Sequence, residues 1–138
     1  MRAVSDYPLW IGNAGDLWDA REVLAVGIEA VIELADNEPF ANLPREMIRC
    51  RYPISDGGDN PSWLLRLAVE SVLHFLRANV PTLICCSAGM SRSVVVAAAG
   101  IALIENRSLD ESLDTVIGNG PADVSPRLLN QIRLASFQ

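Results

Sequence analysis

The sequence predicts an α/β fold with a central, mostly parallel sheet of about four to five strands flanked by helices. Short apolar runs alternate with longer helical patterns along the chain, which favours parallel pairing of the strands. One helical segment, residues 94–104, is apolar on every side, as expected of a helix buried against a sheet. With 138 residues, half of them apolar, the chain is long enough for one core, so we expect residues 1–138 to form a single domain.

The first half of the chain contains three predicted strands and one predicted helix. Two strands are short apolar runs, and the third alternates apolar with polar positions, which predicts one polar face. The strands comprise residues 9–12, 30–34 and 47–54. The helix covers residues 17–26, where apolar residues recur at helical spacing. Asp16 is suited to cap its start and Gly27 to end it.

The second half begins with a loop of small and polar residues, 56–61, followed by a long amphipathic helix that starts at Ser62. A short apolar strand, the apolar helix and two further helices complete the chain. These segments are residues 82–85, 94–104, 109–117 and 127–137. We expect Trp10, Trp18 and Trp63 to be core or partly buried packing residues.

Charge and composition exclude several classes of function. The formal net charge is −6 and the sequence pI is about 4.6, so the chain lacks the broad cationic surface that nucleic acids and anionic membranes require. We therefore expect neither partner. All eleven basic residues are arginines. The absence of lysine excludes a Schiff-base mechanism and the nucleotide-binding loop that needs a lysine.

The cysteines and the apolar segments indicate the cellular compartment. There are three cysteines, Cys50, Cys85 and Cys86, and no Cys-x-x-Cys spacing, so the pattern is not a disulfide framework. We expect Cys50 and Cys85 to be small packing residues. No apolar run is long enough to cross a bilayer, and the first residues lack a leader pattern. A monomer in the cytoplasm is the expectation.

The segment from Cys86 to Ser93 lies between a predicted strand and the apolar helix, and it has the character of a phosphate cradle. In this position the backbone N–H groups and the positive end of the helix dipole point at one spot. Gly89 permits a close approach of backbone to ligand, and the planar fork of Arg92 can bind two phosphate oxygens. The candidate phosphate-binding residues are Ser87, Ala88, Gly89, Met90, Ser91 and Arg92.

A cysteine at the start of such a loop is a candidate nucleophile. The dipole, the N–H groups and Arg92 all stabilise a thiolate, so the pKa of Cys86 is expected below that of a free thiol. A thiolate at neutral pH is nucleophilic. Ser93 has two candidate roles: its hydroxyl caps the helix or hydrogen-bonds to the sulfur of Cys86.

The Cys-x5-Arg pattern followed by serine, with the interior Ser-Ala-Gly-Met-Ser, resembles the signature of the dual-specificity branch of cysteine-based protein phosphatases. The resemblance covers nearly the whole chain, because residues 9–14, 27–34 and 125–132 are similar to the family's flanking segments in the same order. It implies the dual-specificity phosphatase fold and hydrolysis of phosphomonoesters through a phosphocysteine, with no metal and no other cofactor. Phosphotyrosine and phosphoserine or phosphothreonine are the implied substrates, in a phosphorylated protein or a small phosphomonoester.

The resemblance also implies a general acid and shows two departures. The family takes its acid from the loop before the long helix, where Asp56 matches, and Asp59 is the rival in the same loop. The family usually has histidine immediately before the nucleophile, but this chain has Cys85. It also tends to be basic where residues 118–121 of this chain are neutral. The first departure affects the pKa of the nucleophilic thiol, and the second affects the recognition of substrate.

Two other functions stay open at this point. One is a phosphate-binding module without turnover, which the missing histidine favours. The other is a rhodanese-like sulfurtransferase, which also places a cysteine at the start of an anion loop. The spacing from Cys86 to Arg92 and the presence of Asp56 disfavour the sulfurtransferase. The sequence leaves the natural substrate undetermined.

Overall fold

The computed structural model describes residues 1–118 and 120–137, which form one five-stranded sheet, a 3₁₀ helix and five α-helices. The strands are β1 (Arg2–Ala3), β2 (Leu9–Asn13), β3 (Ala30–Ala35), β4 (Ile48–Ile54) and β5 (Thr82–Cys86). The helices are the 3₁₀ helix (Ala14–Trp18), α1 (Ala20–Ala25), α2 (Ser62–Arg77), α3 (Arg92–Glu105), α4 (Leu109–Ile117) and α5 (Pro126–Ser136). No helix in the described part of the chain is long and apolar enough to cross a membrane.

The sheet has the strand order β1-β2-β5-β3-β4. Strand β1 is antiparallel to β2, and the other four strands are mutually parallel. The predicted α/β fold with a mostly parallel sheet is therefore confirmed. Parallel strands end at a common edge of the sheet, so the residues that follow β2, β3, β4 and β5 meet there. That edge carries the candidate site.

The two faces of the sheet bury different sets of residues, because successive side chains on a strand point to opposite faces. One face, with Ile32 and Ile84, packs under α2, α3, α4 and α5 and forms the larger core. The other, with Val31 and Leu83, is covered by the 3₁₀ helix, α1 and the segment between β3 and β4. Helix α3 is buried on almost every side from residue 92 to residue 102, which explains its uniformly apolar sequence.

The first predicted helix needs correction. It begins at Ala20, and Asp19 caps it by accepting a hydrogen bond from the backbone N–H of Arg21. Asp16 lies in the preceding 3₁₀ helix, where it forms a reciprocal capping box with Asn13. The chain therefore forms two short helices between β2 and β3, the 3₁₀ helix and α1. Residues 17–26 are not one continuous helix.

The expected burial of the tryptophans is also wrong in two of three cases. Trp18 is 62% exposed and Trp63 is 63% exposed, whereas Trp10 is partly buried against the smaller core. Both exposed residues lie near the start or end of a helix, where helical spacing does not decide burial. The short edge strand β1 was not predicted, since two residues carry no alternation pattern.

A close approach between α2 and α3 depends on Gly100. A Cβ atom built at Gly100 would lie 2.3 Å from Cγ1 and 2.8 Å from Cβ of Val72, and Val72 is fully buried. We expect Gly100→Ala to lower the free energy of unfolding by about 1–3 kcal/mol, because an added methyl group there overpacks the core. Urea unfolding measures this change. Gly57→Ala, where nothing lies within 4 Å, is the control and should stay within about 0.5 kcal/mol of the parent. Equal stabilities of the two variants would contradict the packing argument.

Candidate active site

The loop of residues 87–91 connects the end of β5 at Cys86 to the start of α3 at Arg92. It rests against the end of β2. Gly89 has a φ of +73°, and a Cβ atom there would lie 2.9 Å from the carbonyl oxygen of Gly12. The backbone N–H of Ala14 donates to the carbonyl of Ser87 at 3.4 Å. Glycine at position 89 is thus required both by its backbone conformation and by the adjacent strand.

Cys86 lies at the base of this loop and is buried. The backbone N–H of Gly89 donates to its Sγ at 3.2 Å, and the hydroxyl of Ser93 lies 3.2 Å from the same sulfur. Burial raises the pKa of the Cys86 thiol. Hydrogen bonds from the side chain and backbone of Ser93, and from the backbone N–H groups of Gly89 and Ser91, lower it by more. The pKa of Cys86 therefore lies below its ordinary value, as expected from the sequence.

The sequence left two roles open for Ser93: its hydroxyl caps α3 or hydrogen-bonds to the sulfur of Cys86. In the structure the hydroxyl contacts the sulfur. The N-cap residue of α3 is Ser91, and its side chain makes no capping hydrogen bond. The Ser93 hydroxyl is fully buried and faces Cys86 instead. A thiolate only accepts hydrogen bonds, so in the ionised state Ser93 is the donor.

Arg92 is buried, with 8% of its surface exposed, and its guanidinium is held from three sides. Nη1 donates to the carbonyl of Ile54 at 2.9 Å and to Oδ1 of Asp36 at 3.1 Å. Nη2 donates to Oγ of Ser87 at 3.0 Å. Within the described residues Nε has no hydrogen-bond partner. The edge formed by Nε and Nη2 is thus the one left to bind two oxygens of an anion.

Asp36 was not identified from the sequence. It directly follows β3, so it lies at the edge of the sheet where β4 and β5 also end. Its ion pair with Arg92 joins an exposed carboxylate to a buried guanidinium. The position after a parallel strand was the available signal, but many polar residues follow strands, and only the fold shows which one reaches Arg92.

Asp56 and Asp59 occupy different surroundings. Asp56 accepts a hydrogen bond from the hydroxyl of Ser91 at 2.6 Å. It also lines the cleft above the loop of residues 87–91, which we call the phosphate loop. Asp59 is largely exposed, forms an ion pair with Arg127 and does not line that cleft. The structure therefore brings Asp56, and not its rival, to the candidate site. The residues that line the cleft are Asp56, Cys86, Ser87, Ala88, Met90, Ser91, Arg92 and Asp123.

The loop that carries Asp56 is anchored by amide side chains. Asn60 exchanges two hydrogen bonds of 2.8 Å with the backbone of Ser55. It also donates to the side chain of Gln131 on α5 at 2.9 Å, and Gln131 donates to the carbonyl of Gly58 at 2.7 Å. These contacts connect the loop to a helix 71 residues further along the chain. They anchor the loop above the cleft.

A second carboxylate of the cleft, Asp123, was also missed. It precedes α5, and its backbone N–H donates to the carbonyl of Met90 at 2.9 Å. Ser125 in the same segment donates its N–H to the hydroxyl of Ser91 at 3.0 Å. In the neutral stretch 118–121, Asn119 lies outside the described residues. Within residues 1–118 and 120–137, no group of three or more His, Cys, Asp or Glu side chains is placed to hold a metal ion.

Cys85 points to the opposite face of the sheet from Cys86 and packs in the smaller core. Burial raises the pKa of the Cys85 thiol far above its usual range, and the nearby charges of Asp16 and Cys86 act in the same direction. Cys50 on β4 is partly buried against the larger core. These surroundings are those of packing residues.

Comparison with known proteins extends the resemblance seen in the signature. No protein-family model matches the sequence. Over 132 residues, 94% of this chain, it is 27% identical to human dual specificity protein phosphatase 9. The chain is therefore similar to a dual-specificity phosphatase over nearly its whole length. It spans only 34% of the length of that relative.

Solved structures agree with this relationship at the level of the fold. Human DUSP28 superposes with a TM-score of 0.81 and 20% identity, covering 94% of this chain and 91% of that one. The human tyrosine phosphatase-like serine/threonine/tyrosine-interacting protein superposes with a TM-score of 0.76 and 16% identity, covering 92% of this chain and 89% of that one. The predicted resemblance to the dual-specificity phosphatases is therefore confirmed.

We expect Ser93→Ala to raise the pKa of the Cys86 thiol, because it removes a hydrogen bond that favours the thiolate. The rate of alkylation of Cys86 by iodoacetate rises with pH as the thiolate forms, so this rise should move to higher pH in the variant. Fragmentation of the modified peptide in tandem mass spectrometry distinguishes alkylation of Cys86 from that of the adjacent Cys85. Ser112→Ala, a buried serine on α4, is the control. An alkylation profile identical to that of the parent would show that the Ser93 hydroxyl does not tune the sulfur.

Proposed function

We propose that this chain hydrolyses phosphomonoesters on proteins through a covalent phosphocysteine at Cys86. The observation that carries the proposal is the convergence of the Cys86 sulfur, the N–H groups of the loop and the free edge of Arg92 on one cleft. The fold of the dual-specificity phosphatases supports phosphatase function in general. The covalent mechanism and the roles of individual residues are part of the proposal.

In the first step the Cys86 thiolate attacks phosphorus. A bond between sulfur and phosphorus forms while the ester bond between phosphorus and the leaving oxygen breaks. The leaving oxygen takes a proton from Asp56, whose carboxyl group lines the same cleft. Loop N–H groups and the Nε–Nη2 edge of Arg92 stabilise the negative charge on the phosphoryl oxygens throughout.

In the second step a water molecule attacks phosphorus and the sulfur leaves as a thiolate. Asp56, now ionised, accepts a proton from this water, so that phosphate is released and both groups return to their starting states. Ser93 donates to the sulfur as it leaves. The hydrogen bond from Ser91 to Asp56 orients the carboxyl group in both steps.

The substrate class follows from the same relationship. We propose phosphotyrosine together with phosphoserine and phosphothreonine, hydrolysed by residues 1–138 as a single catalytic domain. A monomer in the cytoplasm remains a prediction. Partners other than the phosphorylated substrate are not required by this mechanism.

A second candidate function is binding of phosphorylated proteins without turnover. Two observations favour it: Cys85 replaces the histidine usual in the family, and the fold also matches the human tyrosine phosphatase-like interacting protein. Against it stands the lowered pKa of Cys86, which a module that only binds phosphate does not need. No comparable observation favours a sulfurtransferase.

The two candidates differ in what Cys86→Ser should do. If Cys86 is the nucleophile, the variant should lose at least about three orders of magnitude of kcat toward an aryl phosphate, because a serine hydroxyl without an adjacent base attacks poorly. Its affinity for inorganic phosphate should stay close to that of the parent. Cys50→Ser is the matched control and should retain activity. A parent protein that binds phosphate yet does not turn over an aryl phosphate would support the binding module instead.

Asp56→Asn should affect substrates according to the basicity of the leaving oxygen. Proton donation matters most for a strongly basic leaving group, so kcat/KM for phosphotyrosine should fall by about two orders of magnitude or more, and that for an activated aryl phosphate much less. Asp59→Asn should leave both values near those of the parent, since Asp59 pairs with Arg127 outside the cleft. The reverse pattern would assign the acid to Asp59.

A further inference from the structure

Three carboxylates lie at or beside the cleft above the phosphate loop. Asp36 contacts Arg92 from the end of β3, while Asp56 and Asp123 line the cleft from two different loops. Arg92 is the one basic side chain among the residues that line the cleft. Its charge is offset by Asp36 at 3.1 Å. Among the described residues, the carboxylate of Asp123 has no ion-pair or hydrogen-bond partner that would offset its charge.

Four other arginines lie near this end of the sheet but do not line the cleft. Arg2 lies beside Ala88 and Gly89 on another side of the loop, and its Nη1 donates to the carbonyl of Val116 at 2.9 Å. Arg127 pairs with Asp59. Arg49 and Arg51 pair with the buried Glu33, and both stack on the ring of Phe40. The sequence contains no lysine that could supply a further positive charge. The cleft therefore offers an incoming phosphate one guanidinium and a negative rim.

The negative charges around the cleft disfavour the binding of further negative charge on a substrate. A phosphate group brings up to two negative charges to a loop that already holds a thiolate. The loop N–H groups and Arg92 offset the negative charge of the phosphoryl oxygens. They do not offset the negative charge of Asp123 or of the ionised form of Asp56. Acidic groups beside the phosphate would be repelled by this rim, and cationic groups beside it would be attracted.

We infer that the cleft selects phosphoresidues flanked by arginine or lysine, with Asp123 as a specificity-determining residue. This inference rests on the proposed phosphatase function and names its substrate class. The substrate is a phosphomonoester with a cationic group near the phosphate. We propose that it is a basic segment of a phosphorylated protein. The phosphate enters the loop between Cys86 and Arg92, and the cation lies over the carboxylate of Asp123.

The test compares three phosphotyrosine peptides that are identical except for the residues on either side of the phosphotyrosine: arginine, glutamine or glutamate. The parent should show a kcat/KM for the arginine peptide that exceeds that for the glutamate peptide by about tenfold at low salt. This ratio should approach one as the ionic strength rises from about 0.01 M to about 1 M, where the screening length falls from about 30 Å to about 3 Å.

Two variants of equal net charge separate a local effect from a general one. Asp123→Asn should reduce the arginine-to-glutamate ratio about threefold. Asp114→Asn removes the same charge from the exposed surface of α4, outside the cleft, and should leave the ratio unchanged. Equal reductions in both variants would attribute the preference to net charge and overturn the role of Asp123.

The remaining outcomes distinguish this inference from the proposed function. A ratio near one or below one at low salt, with the glutamine peptide still hydrolysed, overturns the inference and leaves the phosphatase function intact. Failure to hydrolyse any peptide or an aryl phosphate overturns both. Phosphoethanolamine, compared with a neutral alkyl phosphate, tests for a small cationic substrate. A larger preference there than among the peptides would move the assignment from proteins to small phosphoamines.

Discussion

The site depends on one constraint: a five-residue loop is anchored at both ends in the most buried part of the molecule. Strand β5 is the central strand of the sheet, and α3 lies in the larger core between the sheet and the other helices. Neither end can move without disturbing the core, so the N–H groups of the loop stay directed at the sulfur of Cys86. Gly89 is the position at which the loop passes close to the neighbouring strand, and no larger residue fits there.

The acid loop is positioned by a different principle. It lies at the surface, and its conformation is set by polar contacts from distant parts of the chain instead of by core packing. Ser91 contacts both Asp56 and the segment before α5, and Asn60 connects the loop to Gln131. One serine of the phosphate loop thus aligns the candidate acid with the candidate nucleophile. A loop held by a few hydrogen bonds opens more readily than the core, which suits the proposed exchange of substrate and product at this cleft.

The electrostatics of the site combine two opposite tendencies. Near the sulfur, donors and Arg92 favour negative charge, and the pKa of Cys86 is lowered although the thiol is buried. At and beside the cleft, Asp36, Asp56 and Asp123 favour positive charge. In the proposed function, the inner part of the site binds any phosphate group, and the outer part distinguishes between the groups attached to it. In the proposed function, affinity for the phosphoryl group and preference among substrates are therefore assigned to different residues.

The sequence alone determined the order of the main strands and helices, the parallel sheet and the loop from Cys86 to Arg92, because these features depend on local periodicity and on residues adjacent along the chain. It also indicated Asp56, although not over Asp59. The role of Asp36 and the position of Asp123 were decided by the tertiary structure. Each becomes part of the site only because separate strands and loops end at the same edge of the sheet. A local sequence pattern does not specify which distant residues meet there.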